Sequence, residues 1–285
     1  MLPILQAPIL NADDYAITSE VSRGIEELAR AGRLSATSIM TNMPPFPALA
    51  SNAKALRAHI AIGLHLNLTC GPSLVSNEHL APAGRFRSRN SFLTTLITLD
   101  EEVLRAEIRA QLDHFEDVLN CQPDHIDGHQ HMHVLPKVRG ALLKEISTRR
   151  WPLPPLIRVP ASVGFDRKSA AVRAAAVGFA RACRSAGLPI NHNFAGFSQF
   201  DRTQSYASEI KQELTSVGDT TGLSIVMCHP GYPDDELHQL DAVTDRRRDE
   251  LDALMTLPNL PARIWHPDRE SSGMIDWKKR ASERT

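Results

Sequence analysis

Histidines are concentrated in one short stretch of this 285-residue chain, HIDGHQHMH at residues 125–133, which holds four of the twelve histidines. His129, His131 and His133 alternate along it, so an extended backbone would place all three imidazoles on the same side. Clustered imidazoles serve little structural purpose, whereas neutral imidazole is the commonest metal ligand in proteins. The spacing therefore predicts a metal-binding or catalytic role for at least one of them.

Other reactive side chains follow short apolar runs elsewhere in the chain. They are Asp13 and Asp14 after the first run, then His65, Arg158 and His229. If these runs are parallel strands, their carboxyl ends meet at one rim, where βα architectures carry their functional groups. Taken singly, each has a plainer interpretation, because an Asp pair can form a turn or cap a helix and a lone histidine can be a surface group. Together they predict one polar site.

A carboxylate combined with two imidazoles is the ligand set of hydrolytic metal centres, which leave positions open for water. We expect Asp14, His65 and His129 to hold one divalent metal ion. Asp13 is then placed to take the proton of a bound water, and His229 to protonate the leaving group. By ligand softness this set suits Zn²⁺, although Fe²⁺, Mn²⁺ and Co²⁺ accept it as well.

The sequence lacks the motifs of several other enzyme classes. The chain has no G-x-S-x-G elbow, no G-x-G-x-x-G loop and no G-x-x-x-x-G-K-[ST] loop, as serine hydrolases, dinucleotide-binding proteins and P-loop proteins require. Cys228 adjoins His229, but neighbouring residues of a strand face opposite ways, so we expect this thiol to pack in the core. The adjacent aspartates also lack the D-x-D spacing of aspartyl phosphatases.

Short β-branched runs alternate with segments of helical period, the pattern of βα units around a parallel sheet. The predicted strands are 8–12, 34–40, 60–68, 125–129, 156–160, 190–196, 223–228 and 262–265, and seven helices separate them. Ser19 and Asp100 are the expected caps of the helices near 19–32 and 101–119, and residues 69–98 are expected to form a loop. The pattern predicts a single barrel-like α/β domain over residues 1–285, with residues 276–285 frayed.

The composition of the chain indicates which kinds of binding partner and which cellular location to expect. The chain has 32 basic and 33 acidic residues, a formal net charge of -1 and no long block of either sign, which argues against nucleic acid as a partner. The four cysteines form no C-x-x-C pair and fit reduced thiols. No run approaches the roughly 18 apolar residues of a transmembrane segment, and the apolar start lacks the basic region of an export signal. We expect a cytoplasmic protein, and the sequence is compatible with a homo-oligomer.

Six motifs resemble one known family. They are NADDYAITSEVSRGI, IGLHLNLTCGPSL, PDHIDGHQHMHVLP, IRVP, MCHPGY and RRRDEL, in that order between residue 8 and about 255. They resemble the motifs of the YdjC-like carbohydrate deacetylases, which include chito-oligosaccharide deacetylases and a hopanoid-biosynthesis branch. Tyr15-Ala16 departs from the family's usual Phe-Gly.

The resemblance implies a fold and an activity. The fold would be a distorted (β/α) barrel related to polysaccharide deacetylases, with parallel strands and outer helices. Asp14, His65 and His129 would hold a divalent metal, Mg²⁺ among the candidates, and Asp13 would act as base. The reaction would remove an acetyl group from an N-acetylated amino sugar, in an oligosaccharide or glycolipid head group, by attack of metal-bound water.

Four further residues are expected to contact the substrate or to orient the ligands: His131, His133, Arg158 and Tyr232. Two other interpretations stay open. One is a metal-dependent phosphoesterase, although such enzymes carry H-x-H on the first strand, where this chain has Asp-Asp. The other is a non-catalytic metal-binding or sugar-binding protein, which would explain the histidines but not a base beside an open metal position.

Overall fold

The fold rests on seven parallel strands, each followed in the chain by a helix. A computed structural model describes residues 7–161, 167–197, 205–218, 220, 222–269 and 273–282. The strands are β1 (Ile9–Tyr15), β2 (Ala36–Ile39), β3 (Ala61–Leu66), β4 (His125–Gly128), β5 (Leu156–Ile157), β6 (Asn193–Ala195) and β7 (Ser224–Cys228). They pair in the order β5-β4-β3-β2-β1-β7-β6.

The two ends of this sheet meet, so that it curls into a distorted barrel. Ile157 bridges to Ile190 in parallel, just before β6 begins. Next to this bridge, the side chain of Asn191 takes the place of backbone hydrogen bonds between the two strands. The Val159 amide donates to Asn191 Oδ1 at 2.6 Å, and Asn191 Nδ2 donates to the Val159 carbonyl at 2.9 Å. Joining the ends in this way pairs the backbone groups that an open sheet would leave exposed. The predicted distorted barrel is confirmed.

Helices surround the strands. They are α1 (Ser19–Arg30), α2 (Phe46–Leu56), α3 (Arg89–Thr98), α4 (Glu101–Leu119), α5 (Pro136–Thr148), α6 (Arg167–Ser185), α7 (Tyr206–Gly218), α8 (Asp235–Leu240), α9 (Asp245–Thr256), α10 (Leu260–Arg263) and α11 (Trp277–Ser282). Asp100 caps α4 as predicted, whereas α1 is capped by Thr18 rather than Ser19, with Thr18 Oγ1 accepting from the Val21 amide. No helix of the described residues is long and apolar enough to cross a membrane.

The barrel interior is apolar at the amino-terminal ends of the strands. Its members there are Ile9, Ala36, Ala61, Leu156, Ile225, Trp265 and Trp277. Trp265 and Trp277 come from the carboxyl-terminal segment, and the Trp277 indole donates to the carbonyl of Asp124, just before β4. This end is therefore filled with side chains, which leaves the opposite end as the place for a polar site.

Four local predictions differ from the structure. The expected strand 262–265 is replaced by α10, in whose first turn Pro261 fits because its missing amide is not needed there. The expected loop 69–98 contains α3. Within the tail expected to fray at residues 276–285, Trp277–Ser282 form α11, and residues 283–285 lie outside the described residues. Residues His129–Val134 form a 3-10 helix, not an extended strand. Short apolar segments fit a strand and a helix equally well, and packing decides between them.

Candidate active site

Strand alternation directs polar side chains into the carboxyl-terminal half of the barrel. Ile9 packs among the interior residues of the opposite end, so Asn11 and Asp13, two and four residues later, face the same way. The same rule applies from Ala61 to His65 and from Leu156 to Arg158. All of these polar side chains are buried.

A β-bulge explains how two adjacent aspartates reach one site. Between Ala12 and Tyr15 three steps of β1 oppose two steps of β2, and Asp14 has a φ of 68°. An aspartate tolerates this left-handed backbone better than most residues. The extra residue turns Asp14 toward the side that Asp13 already faces, which a regular strand would forbid.

Asp14, His65 and His129 come together as predicted. Asp14 Oδ1 lies 3.1 Å from His65 Nε2 and 2.9 Å from His129 Nδ1. The three candidate ligand atoms lie within 4.8 Å of one another, and all three residues are buried.

The three residues fit a divalent cation. Arg247 Nη2 holds the other oxygen of Asp14, Oδ2, at 2.6 Å, so that Oδ1 faces the imidazoles. His129 Nε2 is buried without a hydrogen-bond partner in the described part of the chain. One carboxylate and two imidazoles, one of which has a ring nitrogen without a hydrogen bond, form a suitable ligand set for such an ion.

The carboxylates around His65 favour the protonated form of its imidazole. Burial lowers the pKa of its imidazole, but the Asp127 and Asp13 carboxylates outweigh burial and raise this pKa to about 10. Burial raises the pKa of Asp14, but His129 and Arg247 have a larger effect in the opposite direction. The pKa of Asp14 therefore lies well below its usual range. A ligand imidazole must be neutral, so we expect cation binding at His65 to release a proton.

A second cluster of possible ligands, formed by Asp13, His65 and Asp127, is already paired with the positive charge of Arg158. The Arg158 guanidinium binds both oxygens of Asp13, at 2.6 and 2.7 Å, and Asp127 Oδ2 at 2.9 Å. Asp127 Oδ1 lies 2.7 Å from His65 Nδ1, and Ser38 Oγ donates to Asp127 Oδ2 at 2.5 Å. Arg158 neutralises these carboxylates, which makes the Asp14 cluster the better candidate of the two for a metal ion. Asp127 also orients the His65 ring.

His229 follows β7 at the same rim. Its backbone amide donates to Glu250 Oε2 of α9 at 2.5 Å, which fixes the turn after the strand. Burial lowers the pKa of its imidazole, while the Asp14 and Asp13 carboxylates oppose that shift. His229 therefore shares the electrostatic environment of the two aspartates.

The remaining predicted residues point in different directions. His133 is buried, with Nε2 2.9 Å from the Arg158 carbonyl oxygen. Gln130 and His131 have positive φ values of 51° and 58°, so the expectation that three histidines share one side of an extended strand is wrong. The Tyr232 hydroxyl donates to Glu27 of α1 at 2.6 Å, and no contact described for it reaches the Asp14 cluster.

Sequence reasoning missed several residues of this site. Asp127 had a signal, because it alternates with His125 and His129 in the histidine-rich stretch and therefore faces inward with them. Arg247 and Glu250 lie within the RRRDEL motif, but sequence reasoning gave them no role, because no local pattern shows that a helix more than 200 residues after the first strand reaches the site. Asn11 could also have been found from the sequence, because it lies two residues before Asp13 and so faces the same side of the strand. Its Nδ2 donates to Asp13 Oδ1 at 2.7 Å.

Comparison with known proteins places the chain among related sequences. The profile of the family described as YdjC-like protein matches residues 9–258. A carbohydrate deacetylase of Mus musculus is 31% identical over 79% of this chain and 78% of its own. A carbohydrate deacetylase of Halalkalibacterium halodurans is 27% identical over 86% and 94%. A chitooligosaccharide deacetylase of Proteus mirabilis is 34% identical over 46% and 51%.

One solved structure shares the fold along the whole chain. It is a crystal structure of an Enterococcus faecalis protein named for a proposed role in cellobiose-phosphate cleavage. Its TM-score is 0.75 at 23% identity, with 98% of this chain and 100% of that chain covered. At this identity the likeness supports the architecture alone.

Proposed function

Since the chain belongs to the YdjC-like family of carbohydrate deacetylases, we propose that it is a hydrolase that removes the acetyl group from the nitrogen of an amino sugar. The observation that carries this proposal is the buried cluster of Asp14, His65 and His129 at the carboxyl-terminal end of the barrel, with Asp13 beside it. Relatives named carbohydrate and chitooligosaccharide deacetylases support the substrate class.

Asp14, His65 and His129 would hold the divalent cation. When bound there, such an ion supplies Lewis-acid polarisation of the acetamide carbonyl and lowers the pKa of a water molecule. Arg247 fixes the Asp14 carboxylate and Asp127 fixes the His65 ring, so the protein holds its ligands in orientation by hydrogen bonds at 2.6 and 2.7 Å. Preoriented ligands of this kind favour one geometry of the site.

Asp13 would accept a proton from the attacking water. Its carboxylate lies against the ligand cluster, with Oδ2 3.9 Å from His65 Nε2, and Arg158 binds it in a bidentate arrangement. The bidentate pair fixes the plane of the carboxylate, so that the free lone pairs have one direction. A base held in this way does not have to reorganise when the proton arrives.

His229 would donate a proton to the departing amine. Hydrolysis breaks the C–N bond of the acetamide and forms a C–O bond, so the products are acetate and a free amine that has gained one proton. His229 lies at the end of β7 in the field of Asp13 and Asp14, which stabilises its protonated form against the effect of burial. Proton donation to an amine is needed because an amide anion is a poor leaving group.

Acetate release tests the proposal. The purified protein is loaded with Mg²⁺ or Zn²⁺ and incubated with N-acetylglucosamine, chito-oligosaccharides and N-acetylated glycolipid head groups, with metal-depleted protein as control. We expect acetate and a free amine from at least one N-acetyl sugar, and none after metal depletion. Phosphate release from sugar phosphates, with no acetate from any N-acetyl sugar, would overturn the deacetylase and favour a phosphoesterase.

A further inference from the structure

Three aromatic rings form a corner at the rim of the barrel, which we call the aromatic corner: His131, Phe194 and Phe197. Each pair of rings meets edge to face, with centroids 5.9 Å apart for His131–Phe194 and 5.1 Å for both His131–Phe197 and Phe194–Phe197. Phe194 is buried in β6, whereas Phe197 is 37% exposed although it is a large apolar side chain. The corner therefore presents one aromatic ring to solvent at the active end of the barrel.

The backbone holds this corner in conformations that most residues avoid. Gly196 has a φ of 100°, and a Cβ there would collide with the Met227 carbonyl oxygen, so the chain passes close to β7 immediately before Phe197. Gln130 and His131 both adopt left-handed φ values. Such conformations cost free energy and are concentrated at functional sites.

The corner also contains a polar atom that lacks a partner. His131 Nδ1 is buried and has no hydrogen bond within the described residues. A buried polar atom without a partner is costly, and an atom beside an open rim can be satisfied by a ligand. The corner therefore combines an exposed aromatic ring with a buried imidazole nitrogen that has no hydrogen bond within the described residues.

The corner is coupled to the proposed base. Arg158 Cζ lies 5.7 Å from the centroid of the Phe194 ring, and the same guanidinium holds both oxygens of Asp13. Phe197 is therefore connected to Asp13 by successive contacts through Phe194 and Arg158.

We propose that the aromatic corner is the subsite that receives a pyranose ring of the amino-sugar substrate, an inference that rests on the proposed function. One face of a pyranose ring is lined with C–H groups, which would pack on the Phe197 ring, and its hydroxyl groups would reach His131 Nδ1. Aromatic rings combine apolar contact with fixed geometry at little cost in side-chain entropy. Phe197 is thus a determinant of sugar recognition, outside the hydrolytic machinery.

The test separates recognition of the sugar from hydrolysis. The variants are Phe197→Ala and Phe197→Leu, which remove the ring, and Phe197→Tyr, which keeps it. Ile97→Ala is the matched control, because Ile97 is another exposed large apolar side chain, on α3. The substrates are N,N′-diacetylchitobiose and 4-nitrophenyl acetate, which carries an acetyl group but no sugar. Binding of the disaccharide to metal-free protein is measured by calorimetry.

We expect Phe197→Ala and Phe197→Leu to lower the ratio of disaccharide to ester kcat/KM about tenfold, through KM, and to weaken calorimetric binding by a similar factor. Phe197→Tyr, which keeps the ring, should recover most of the loss seen in Phe197→Ala, and Ile97→Ala should match the wild type. Wild-type disaccharide affinity and KM in the Phe197→Ala and Phe197→Leu proteins, with acetate still released, would overturn the subsite and leave the deacetylase standing. A wild-type protein that neither binds nor hydrolyses any N-acetyl sugar would overturn both.

Discussion

Each aspartate of the adjacent pair is held by a different buried arginine. The two arginines bind their aspartates differently, which suits the roles proposed for Asp13 as base and Asp14 as metal ligand. Arg158 binds both oxygens of Asp13, whereas Arg247 binds only Oδ2 of Asp14. Oδ1 of Asp14 therefore remains directed at two imidazoles, as a metal ligand requires, and the Asp13 carboxylate is held in a fixed orientation beside them. Both arginines are fully buried, and each has one further carboxylate partner, Asp127 for Arg158 and Asp241 for Arg247. Removing Asp13 or Asp14 therefore leaves a buried guanidinium with one carboxylate fewer.

At the residue scale, the first prediction concerns bound metal. Replacing Asp14, His65 or His129 by Ala should each abolish stoichiometric binding of Zn²⁺, because loss of one of three protein ligands removes a bond and opens the site to water. Metal content is measured by atomic emission after dialysis. His59→Ala, an exposed histidine, is the control. Unchanged stoichiometry in His129→Ala would move the ligand role to His131 or His133.

The second residue-scale prediction concerns Asp13. Asp13→Asn should retain metal but lose about 10²–10⁴ in kcat, because an amide cannot accept the proton of water. Metal content and the circular dichroism spectrum are measured on the same samples, so that loss of turnover is distinguished from loss of fold. Asp113→Asn, which removes an Asp–Arg pair at the surface, serves as control. Near-normal turnover would show that Asp13 is a structural residue of the turn.

At the scale of elements, the close packing of β3 against β4 affects the residues beneath the candidate metal ligands. Gly63 lies in β3 with no room for a side chain, because a Cβ there would overlap the imidazole ring of His125 from β4. His125 Nε2 in turn lies 3.1 Å from Ser38 Oγ, which donates to Asp127. The packing of two strands is thus connected to the carboxylate that orients His65.

Gly63→Ala should therefore destabilise the protein by about 1–3 kcal/mol, the usual cost of overpacking a core. The double variant Gly63→Ala/His125→Ala should recover part of that loss, since the colliding ring is gone. Both are measured by urea denaturation. Gly140→Ala in α5 is the control, because nothing lies within 4 Å of the added Cβ and alanine favours a helix. Equal unfolding free energies for Gly63→Ala and the wild type would contradict this packing.

At the scale of the whole molecule, helix α9 covers the site with two buried ionisable side chains from the carboxyl-terminal part of the chain. Arg247 and Glu250 are both buried in it. Burial raises the pKa of Glu250 to about 8, although the His229 amide, Arg247 and Arg246 oppose that shift. The folded protein therefore keeps this carboxyl protonated at pH values where the unfolded chain has lost the proton.

This difference makes stability depend on pH with a defined sign. A raised carboxyl pKa contributes stability that is complete below the ordinary value of 4.5 and is lost as pH rises to about 8. Glu250→Gln imitates the protonated form, so its advantage over the wild type should grow by about 1.4 kcal/mol per pH unit in that window. Urea denaturation at several pH values measures the difference. Glu236→Gln, at an exposed residue, is the control, and parallel curves for Glu250→Gln and wild type would contradict the shift.

The sequence by itself determined which residues stand at the ends of the strands. Apolar alternation places Asp13, His65 and Arg158 on the inward side of their strands, and the βα pattern brings those strand ends to one rim. Six ordered motifs identified the family, which the profile match over residues 9–258 confirms. These features are local, because strand period and motif spacing depend only on neighbouring residues.

Only the tertiary structure decided which distant groups complete the site. Arg247 reaches Asp14 across 233 residues, and no local pattern tells which of the three consecutive arginines 246–248 turns inward. The bulge at Asp14, the edge-to-face packing of Phe197 on His131 and the 3-10 turn after β4 likewise depend on contacts between elements. Side-chain direction at such places is set by packing and buried charge, which a linear pattern of residue types does not contain.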